Sequence, residues 1–255
     1  MSVSLTELDQ YLKQALNSDL YRDYCPNGLQ VEGRPQIQRI ATGVTACQAL
    51  LDEAIAWGAD AILVHHGYFW RDESPQIVGM KKRRIAALLA SDVSLIAYHL
   101  PLDGHPEFGN NAKLGELMGL PLDLQEPLEP GVAGSVGSIG TLPVATTSGE
   151  FVAALEKELG RGALHIGDPA VSVSRIAWCT GGAQSYIDKA VAAGADLFIT
   201  GEASEQTVHV AREEGVQFVA AGHHATERYG VQALGAHLQE TFSVEHRFFD
   251  IDNPV

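Results

Sequence analysis

Short apolar runs alternate with longer amphipathic segments along the chain, an order that is typical of α/β proteins. Leucines recur at helical spacing from Leu5 to Leu16, and a Ser-x-x-Glu capping-box pattern begins at Ser4, so the first predicted element is an amphipathic helix. Between residues 37 and 64, a strand, a helix ended by a glycine and a second strand follow one another. These three elements predict a βαβ unit with a right-handed crossover.

Residues 37–60 recur at residues 173–196, an offset of 136 positions. Ten of the 24 aligned pairs are identical, and no gap is needed to align them. We interpret this repeat as an internal duplication that gives two related α/β halves, with layered sheets flanked by helices. We expect residues 1–125 to form the first half, and residues 126–255 to form the connecting segment and the second half.

The later strands of the two halves are offset by 124 positions, so the first half contains about 12 additional residues. Residues 67–79 are the candidate for this insertion, because they are aromatic and charged, are bounded by glycines and directly follow two histidines. Such a segment is either a loop that closes over a site or a loop that packs at an interface or on the core.

The composition is that of an ordinary globular chain: of 255 residues, 45% are hydrophobic and 19% are charged. The formal net charge is −15, and residues 81–84 form the single basic cluster, which we interpret as the solvated start of a helix. We therefore expect no non-specific binding to a nucleic-acid backbone. The three cysteines, Cys25, Cys47 and Cys179, form no CxxC pair, which indicates neither a disulfide framework nor a thiolate zinc site.

The first residues lack the basic and apolar regions of a signal peptide, and no apolar run reaches membrane length. Together with the unpaired cysteines, which fit a reducing compartment, this predicts a soluble cytoplasmic protein with no membrane partner.

Three of the apolar runs end in histidine, and two of those histidines are followed by an acid four residues later. In α/β folds the strand ends carry the functional site, and side chains four residues apart lie on one face of a helix. The two histidine–acid pairs are themselves 124 positions apart. We therefore predict one site, between the two halves, that contains the following groups: His65, His66, His99, Asp103, His223 and Glu227.

Imidazoles and carboxylates without thiolates suit Zn, Fe(II), Mn or Ni. Six groups exceed the needs of one divalent ion, so we predict two ions, with Asp103 or Glu227 as the bridging carboxylate. Adjacent strand residues point to opposite faces, so His65 and His66 would be divided between the ions where the strand ends. His99 is either a further ligand or an acid–base group. A pair of such ions activates water, which indicates hydrolysis.

Neighbouring polar residues have several possible roles. Glu202 could orient a ligating imidazole, whereas His224 is predicted to be structural. Polar groups that follow Asp103 could contact substrate: His105, Asn110, Asn111 and Lys113. For His105 the alternative is an ordinary surface histidine.

Five stretches in combination resemble the Nif-three-like dinuclear metal-centre family, also called GTP cyclohydrolase I type 2-like. The resemblance spans essentially the whole chain and implies two α/β halves and a toroidal homohexamer whose metal sites face a central cavity. It implies the ligands His65, His66, Asp103, His223 and Glu227, with His99 as the adjacent catalytic histidine. The stretches are residues 27–33, 64–67, 98–103, 200–202 and 222–227.

The activity that this resemblance implies is hydrolytic opening of the guanine imidazole ring of GTP with loss of formate, in which a histidine shuttles protons. Our first hypothesis is accordingly a hydrolase with two divalent metal ions that acts on a nucleotide or a related heterocycle. The alternative is a non-catalytic, ring-shaped metal-binding scaffold or metallochaperone that binds a partner.

Overall fold

A computed structural model describes residues 2–255 of the chain, which has a mixed α/β fold. The predicted fold class is therefore confirmed. The strands in chain order are β1 (Val3–Ser4), β2 (Gly28–Val31), β3 (Gln36–Ile37), β4 (Arg39–Thr45), β5 (Ala61–His66), β6 (Ser94–Ala97), β7 (Gln125–Pro127), β8 (Ser138–Thr147), β9 (Leu164–Ile166), β10 (Ser172–Trp178), β11 (Leu197–Thr200), β12 (Gln217–Ala220) and β13 (Glu245–Phe248).

The helices fill most of the connections between these strands, and the first predicted helix is confirmed. Its N-cap is Ser4, whose side chain accepts a hydrogen bond from the backbone N–H of Glu7 at 3.2 Å. The α-helices are α1 (Leu5–Ala15), α2 (Gln48–Trp57), α3 (Gly79–Ser91), α4 (Leu100–Asp103), α5 (Asn110–Leu117), α6 (Ser148–Leu159), α7 (Ile187–Ala192), α8 (Glu205–Glu214), α9 (His223–Thr226) and α10 (Arg228–Phe242).

The chain forms two compact units, each built from two separate stretches of sequence. The first unit comprises Met1–Leu102 and Gly230–Asp252, and the second comprises Asp103–Tyr229 and Asn253–Val255. This division differs from the expected boundary at residue 125, because β13 returns to pair with β4 in the first unit. In addition, α5 contributes Leu114 to the buried core of the second unit.

The first unit contains a five-stranded sheet in the order β13-β4-β5-β6-β2. Strands β13, β4, β5 and β6 are mutually parallel, and β2 is antiparallel to β6. Helix α2 packs Leu50, Leu51 and Ala54 into the core of this unit, together with Ile62 of β5. The βαβ unit that the sequence predicts is thus present, and α2 ends at Gly58, whose φ of 83° is readily adopted only by glycine.

The second unit contains a six-stranded sheet in the order β7-β8-β10-β11-β12-β9. Strands β10, β11 and β12 are parallel, whereas β7, β8 and β9 each pair antiparallel to a neighbour. Fully buried Trp178, Phe198 and Phe218 come one from each parallel strand. This sheet therefore has a hydrophobic centre and aligned strand ends.

Aspartates at matching positions of the predicted repeat make the same contacts in the two units. Asp60 Oδ2 accepts hydrogen bonds from the backbone N–H groups of Gln38 and Arg39, at 2.7 and 2.9 Å. Asp196 Oδ2 accepts from the N–H groups of Ser174 and Arg175, at 2.9 and 2.8 Å. The internal duplication stays a prediction, and these matched contacts support it.

Candidate metal centre

The end of β5 carries the two adjacent histidines, whose ring centroids lie 4.5 Å apart. Buried His65 has its Nδ1 atom 3.1 Å from the carbonyl oxygen of Tyr98. Because a carbonyl only accepts hydrogen bonds, Nδ1 carries the proton and Nε2 keeps the lone pair. The Nδ1 atom of His66 is hydrogen-bonded to Thr45 Oγ1 at 3.1 Å. Both rings are thus oriented through Nδ1, as in most metal-ligating histidines.

His99 follows β6 and joins the same cluster. Its ring centroid lies 5.1 Å from that of His65 and 5.7 Å from that of His66. The three imidazoles offer nitrogen atoms that all lie within 4.8 Å of one another. The parallel pairing of Val64 with Ala97 places the carboxyl ends of β5 and β6 at one edge of the sheet. The structure therefore brings these three predicted site residues together.

Asp23, which the sequence did not single out, holds His99 from the side of the loop before β2. Its Oδ1 atom lies 2.7 Å from His99 Nδ1, and its Oδ2 atom accepts from the N–H of Leu100 at 2.9 Å. Burial alone would raise the pKa of Asp23, but hydrogen bonds from His99, Asn27 and Tyr24 hold that pKa at about 2. Asp23 is therefore a carboxylate at neutral pH.

Asn27 begins residues 27–33, one of the five stretches that carry the family resemblance, and it contacts both His99 and Asp23. Its side-chain oxygen accepts a hydrogen bond from the backbone N–H of His99 at 2.8 Å, while its Nδ2 donates to Asp23 Oδ2 at 2.9 Å. The next residue, Gly28, has a φ of 107°, which a side chain would disfavour. The loop is thus folded around His99.

The loop of residues 67–79 reaches the same histidines. The ring of Trp70 meets His99 edge-on at 5.0 Å and lies 5.9 Å from His66. Gln30 fixes the start of the loop by accepting from the N–H of Tyr68 at 2.7 Å and donating to its carbonyl at 3.1 Å. This contact favours the interpretation of the loop as part of a site.

Asp103 ends α4 and is the first residue of the second unit. It is buried, and its Oδ1 atom accepts from Asn110 Nδ2 at 2.9 Å and from Thr180 Oγ1 at 3.2 Å. Asn111 donates to the carbonyl of Asp103 at 3.2 Å and accepts from the N–H of Thr180 at 3.1 Å. The two buried asparagines therefore hold Asp103, rather than being exposed for contact with substrate.

His223 begins the short helix α9, which follows β12, and Glu227 lies directly after this helix. His223 Nε2 is 3.2 Å from Glu227 Oε2, and His223 Nδ1 is 2.7 Å from Glu202 Oε1. Burial would lower the pKa of His223, but Glu227 and Glu202 raise it to about 9. The predicted role of Glu202 as the residue that orients an imidazole fits this contact.

Two glycines make room for these side chains. A Cβ at Gly181 would lie 2.0 Å from Glu227 Oε1, and a Cβ at Gly201 would lie 2.5 Å from His223 Cα. Gly181 also has a φ of 69°. Glycine at these two positions therefore leaves space for His223 and Glu227 that any larger residue would fill.

Other polar groups near the candidate ligands have structural contacts. The N–H of His224 donates to the carbonyl of Val255 at 2.9 Å. Lys113 pairs with Glu116 at 2.7 Å. His105 stacks on Phe108 with 4.4 Å between ring centroids, and together with Asp103 it lines a cavity of about 140 Å³.

The donor groups fit divalent metal ions. Asp103 and Glu227 are 7% and 2% exposed, and they offer oxygen atoms within 4.8 Å of each other. Two buried carboxylates this close repel each other unless a cation or a proton compensates their charge. The imidazoles of His65, His66 and His223 are the nitrogen donors that Zn, Fe and Mn sites use with carboxylates. The clustered histidines and carboxylates can therefore bind metal.

The fold and the imidazole–carboxylate clusters define a class of α/β proteins with the donor groups of a metal centre, and comparisons with known proteins give the family. The family model described as Duf34/NIF3 (NGG1p interacting factor 3) matches residues 3–254. The chain belongs to this family.

Two relatives are each named GTP cyclohydrolase 1 type 2 homolog. The Pseudomonas aeruginosa protein is 54% identical over 255 residues and is covered, like this chain, over its full length. The Escherichia coli K12 protein is 53% identical over 252 residues, which cover 98% of this chain and 99% of that protein. A solved structure of protein ybgI, of unknown function, matches with a TM-score of 0.92 and 50% identity, over 99% of this chain and 100% of that one.

Among residues 2–255, no helix has both the length and the apolar character that a membrane-spanning segment needs.

Proposed function

We propose that the protein is a metal-dependent hydrolase in which two divalent ions are held by His65, His66, Asp103, His223 and Glu227. The observation that carries the proposal is the pair of buried carboxylates, Asp103 and Glu227, whose oxygen atoms approach within 4.8 Å. Such a pair is a natural site for divalent cations, and the histidines supply the remaining donor atoms. The ions would be Fe, Zn, Mn or Ni.

Divalent ions at these ligands would lower the pKa of a coordinated water toward neutrality and thereby supply the nucleophile for hydrolysis. The chain itself would orient the ligands: Glu202 through Nδ1 of His223, the Tyr98 carbonyl through Nδ1 of His65, and Asn110 through Oδ1 of Asp103. His99 is not needed to complete the ligand set, so we assign it the transfer of protons to and from the substrate.

For the substrate we propose a nucleotide or a related heterocycle. The relatives' shared name, GTP cyclohydrolase 1 type 2 homolog, supports opening of the guanine imidazole ring. The cavity of about 140 Å³ beside Asp103 and His105 has room for one ring of such a heterocycle, because a cavity of roughly 150 Å³ holds a single benzene molecule. Because the formal net charge of the chain is −15, bound cations would offset the negative charge of the phosphate groups of a nucleotide.

The metal count tests the first part of this proposal. Anaerobically loaded protein should contain close to two ions per chain by elemental analysis, and Glu227→Gln should lose at least one of them. Glu240→Gln, a change of the same type on α10, should keep both ions. A count near zero in the loaded wild-type protein would exclude the centre.

Turnover tests the second part. Protein loaded separately with Mn, Fe or Zn should release formate from GTP or hydrolyse another member of a panel of nucleotides and purine derivatives. His99→Gln should lower this rate by about a hundredfold or more while the ions stay bound. If the ions bind and no member of the panel is hydrolysed, the metal-binding scaffold or metallochaperone becomes the better assignment.

The predicted homohexamer is part of the same proposal, and its test is sedimentation equilibrium at micromolar concentration. A species of six chains supports the ring, whereas a monomer that persists in the metal-loaded protein contradicts it.

A further inference from the structure

Within residues 2–255, the carboxylate of Asp23 has four hydrogen-bond contacts, to Tyr24, Asn27, His99 and Leu100. Oδ1 accepts from the N–H of Tyr24 at 2.6 Å and faces His99 Nδ1 at 2.7 Å. Oδ2 accepts from Asn27 Nδ2 and from the N–H of Leu100, both at 2.9 Å. An ionised carboxylate cannot donate, so the nitrogen of His99 that faces it must carry a proton.

The backbone of His99 is held by the same loop. Its N–H donates to Asn27 Oδ1 at 2.8 Å, and the Asp23 side chain is only 3% exposed. The loop before β2 therefore holds His99 at two points, the Nδ1 atom of its ring and its backbone N–H. On the other side, the edge-on ring of Trp70 at 5.0 Å limits rotation of the imidazole.

We propose that Asp23 is a positioning residue, which fixes neutral His99 in the tautomer with the proton on Nδ1 and so presents the lone pair of Nε2 to the substrate. The use of that lone pair rests on the proposed function, whereas the tautomer does not. A neutral histidine can accept a proton or a metal only through its unprotonated nitrogen, so the tautomer decides which ring atom can act.

Asp23→Asn is the sharpest variant, because it keeps the shape and replaces one acceptor oxygen by an NH2 group. If that NH2 group faced Asn27 Nδ2 and the N–H of Leu100, it would point at two other donors. The Leu100 N–H cannot accept a hydrogen bond, and the Asn27 amide could accept one only by flipping, which would break the bond that the His99 N–H donates to Asn27 Oδ1. If it faces His99, it opposes only one donor that cannot reverse, the backbone N–H of Tyr24, and the imidazole can adapt by moving its proton to Nε2. We therefore expect Asp23→Asn to switch the tautomer of His99.

The test is a long-range proton–nitrogen NMR spectrum of metal-free protein labelled with 15N-histidine, with His99 assigned by its loss in His99→Gln. Wild-type His99 should be protonated on Nδ1, and in Asp23→Asn the proton should lie on Nε2. Asp19→Asn is the matched control, since Asp19 is an exposed acid that pairs with Lys13 at 3.3 Å, and it should retain the wild-type pattern.

A wild-type spectrum with the proton on Nε2 overturns the proposal without the need for any variant. An unchanged tautomer in folded Asp23→Asn overturns it as well. If a hydrolysed substrate is found, Asp23→Asn should lower kcat by about a hundredfold with little change in KM. A tautomer that switches as expected in a protein that hydrolyses nothing would refute the proposed function and leave the role of Asp23 intact.

Discussion

Nδ1 of His223 lies 2.7 Å from Oε1 of Glu202, while Nε2 of the same ring lies 3.2 Å from Glu227. One acid therefore contacts each nitrogen of the imidazole, and in the proposed metal centre Glu202 would orient the ring while Glu227 would be a ligand beside it. Glu202→Gln should weaken metal binding by about 10- to 100-fold with little change in stability, because the ligands remain but the ring loses its charged partner.

Competition with a chromogenic chelator would measure this loss. Glu205→Gln is a suitable control, because Glu205 is 94% exposed and lies 4.0 Å from His209 on α8. Equal affinities of the two variants would contradict the role of Glu202.

The pKa of Asp23 predicts a pH-dependent contribution to stability. Its pKa falls from 3.8 to about 2 on folding, so the ionised group stabilises the folded chain above pH 4, and this stabilisation is lost as the pH falls toward 2. Asp23→Asn should therefore lower the free energy of unfolding by about 2 kcal/mol at pH 6, and the difference from wild type should shrink below pH 4. Urea unfolding at a series of pH values would measure it. A difference that stays constant from pH 6 to pH 3 would contradict the assignment.

Gly181→Ala should disrupt the site beyond the effect of backbone strain. Its Cβ would lie 2.0 Å from Glu227 Oε1, whereas a Cβ at Gly194, where φ is 71°, meets nothing within 4 Å. Both substitutions introduce a left-handed alanine, which costs roughly 1–2 kcal/mol. Only Gly181→Ala should also lower the number of bound metal ions, as elemental analysis and thermal unfolding would show. Identical behaviour of the two variants would argue against this role of Gly181.

The fluorescence of Trp70 should change when a metal ion binds at the neighbouring histidines. Its ring lies 5.0 Å from that of His99 and 5.9 Å from that of His66. Of the other two tryptophans, Trp178 is fully buried in the second unit, and Trp57 packs against Phe249 with 5.9 Å between ring centroids. A paramagnetic ion such as Ni²⁺ at these histidines should quench Trp70 emission. Trp70→Phe should remove most of the quenching without changing metal affinity. Quenching that persists in Trp70→Phe would place the ion elsewhere.

The sequence predicted much of the fold because its informative features are local. Helix α2 and strand β5 follow from apolar spacing and from Gly58, and the meeting of the histidines at the end of β5 with the one that follows β6 comes from the parallel order of the strands. The division into units was less predictable, because residues 230–252 return to the first sheet through a pairing with β4 that is distant in sequence.

Residues that contact the candidate site but lie far from it along the chain were also not predicted from the sequence. Asp23 lies 76 positions before His99 in the chain, and no local sequence pattern distinguishes it from other aspartates. Thr180 similarly reaches Asp103 from 77 positions away. Patterns of spacing identify side chains on one element, whereas such partners depend on how separate elements pack.

The tight space around Gly181 and Gly201 also determines where the protein can be re-engineered. A Cβ at either position would collide with Glu227 or His223, whereas one at Gly182 would meet its nearest atoms, on His223 and Glu202, at 3.6 and 3.7 Å. These are ordinary van der Waals distances. A mutant library intended to change which molecules the proposed site accepts should therefore introduce side chains at Gly182 and leave Gly181 and Gly201 unchanged.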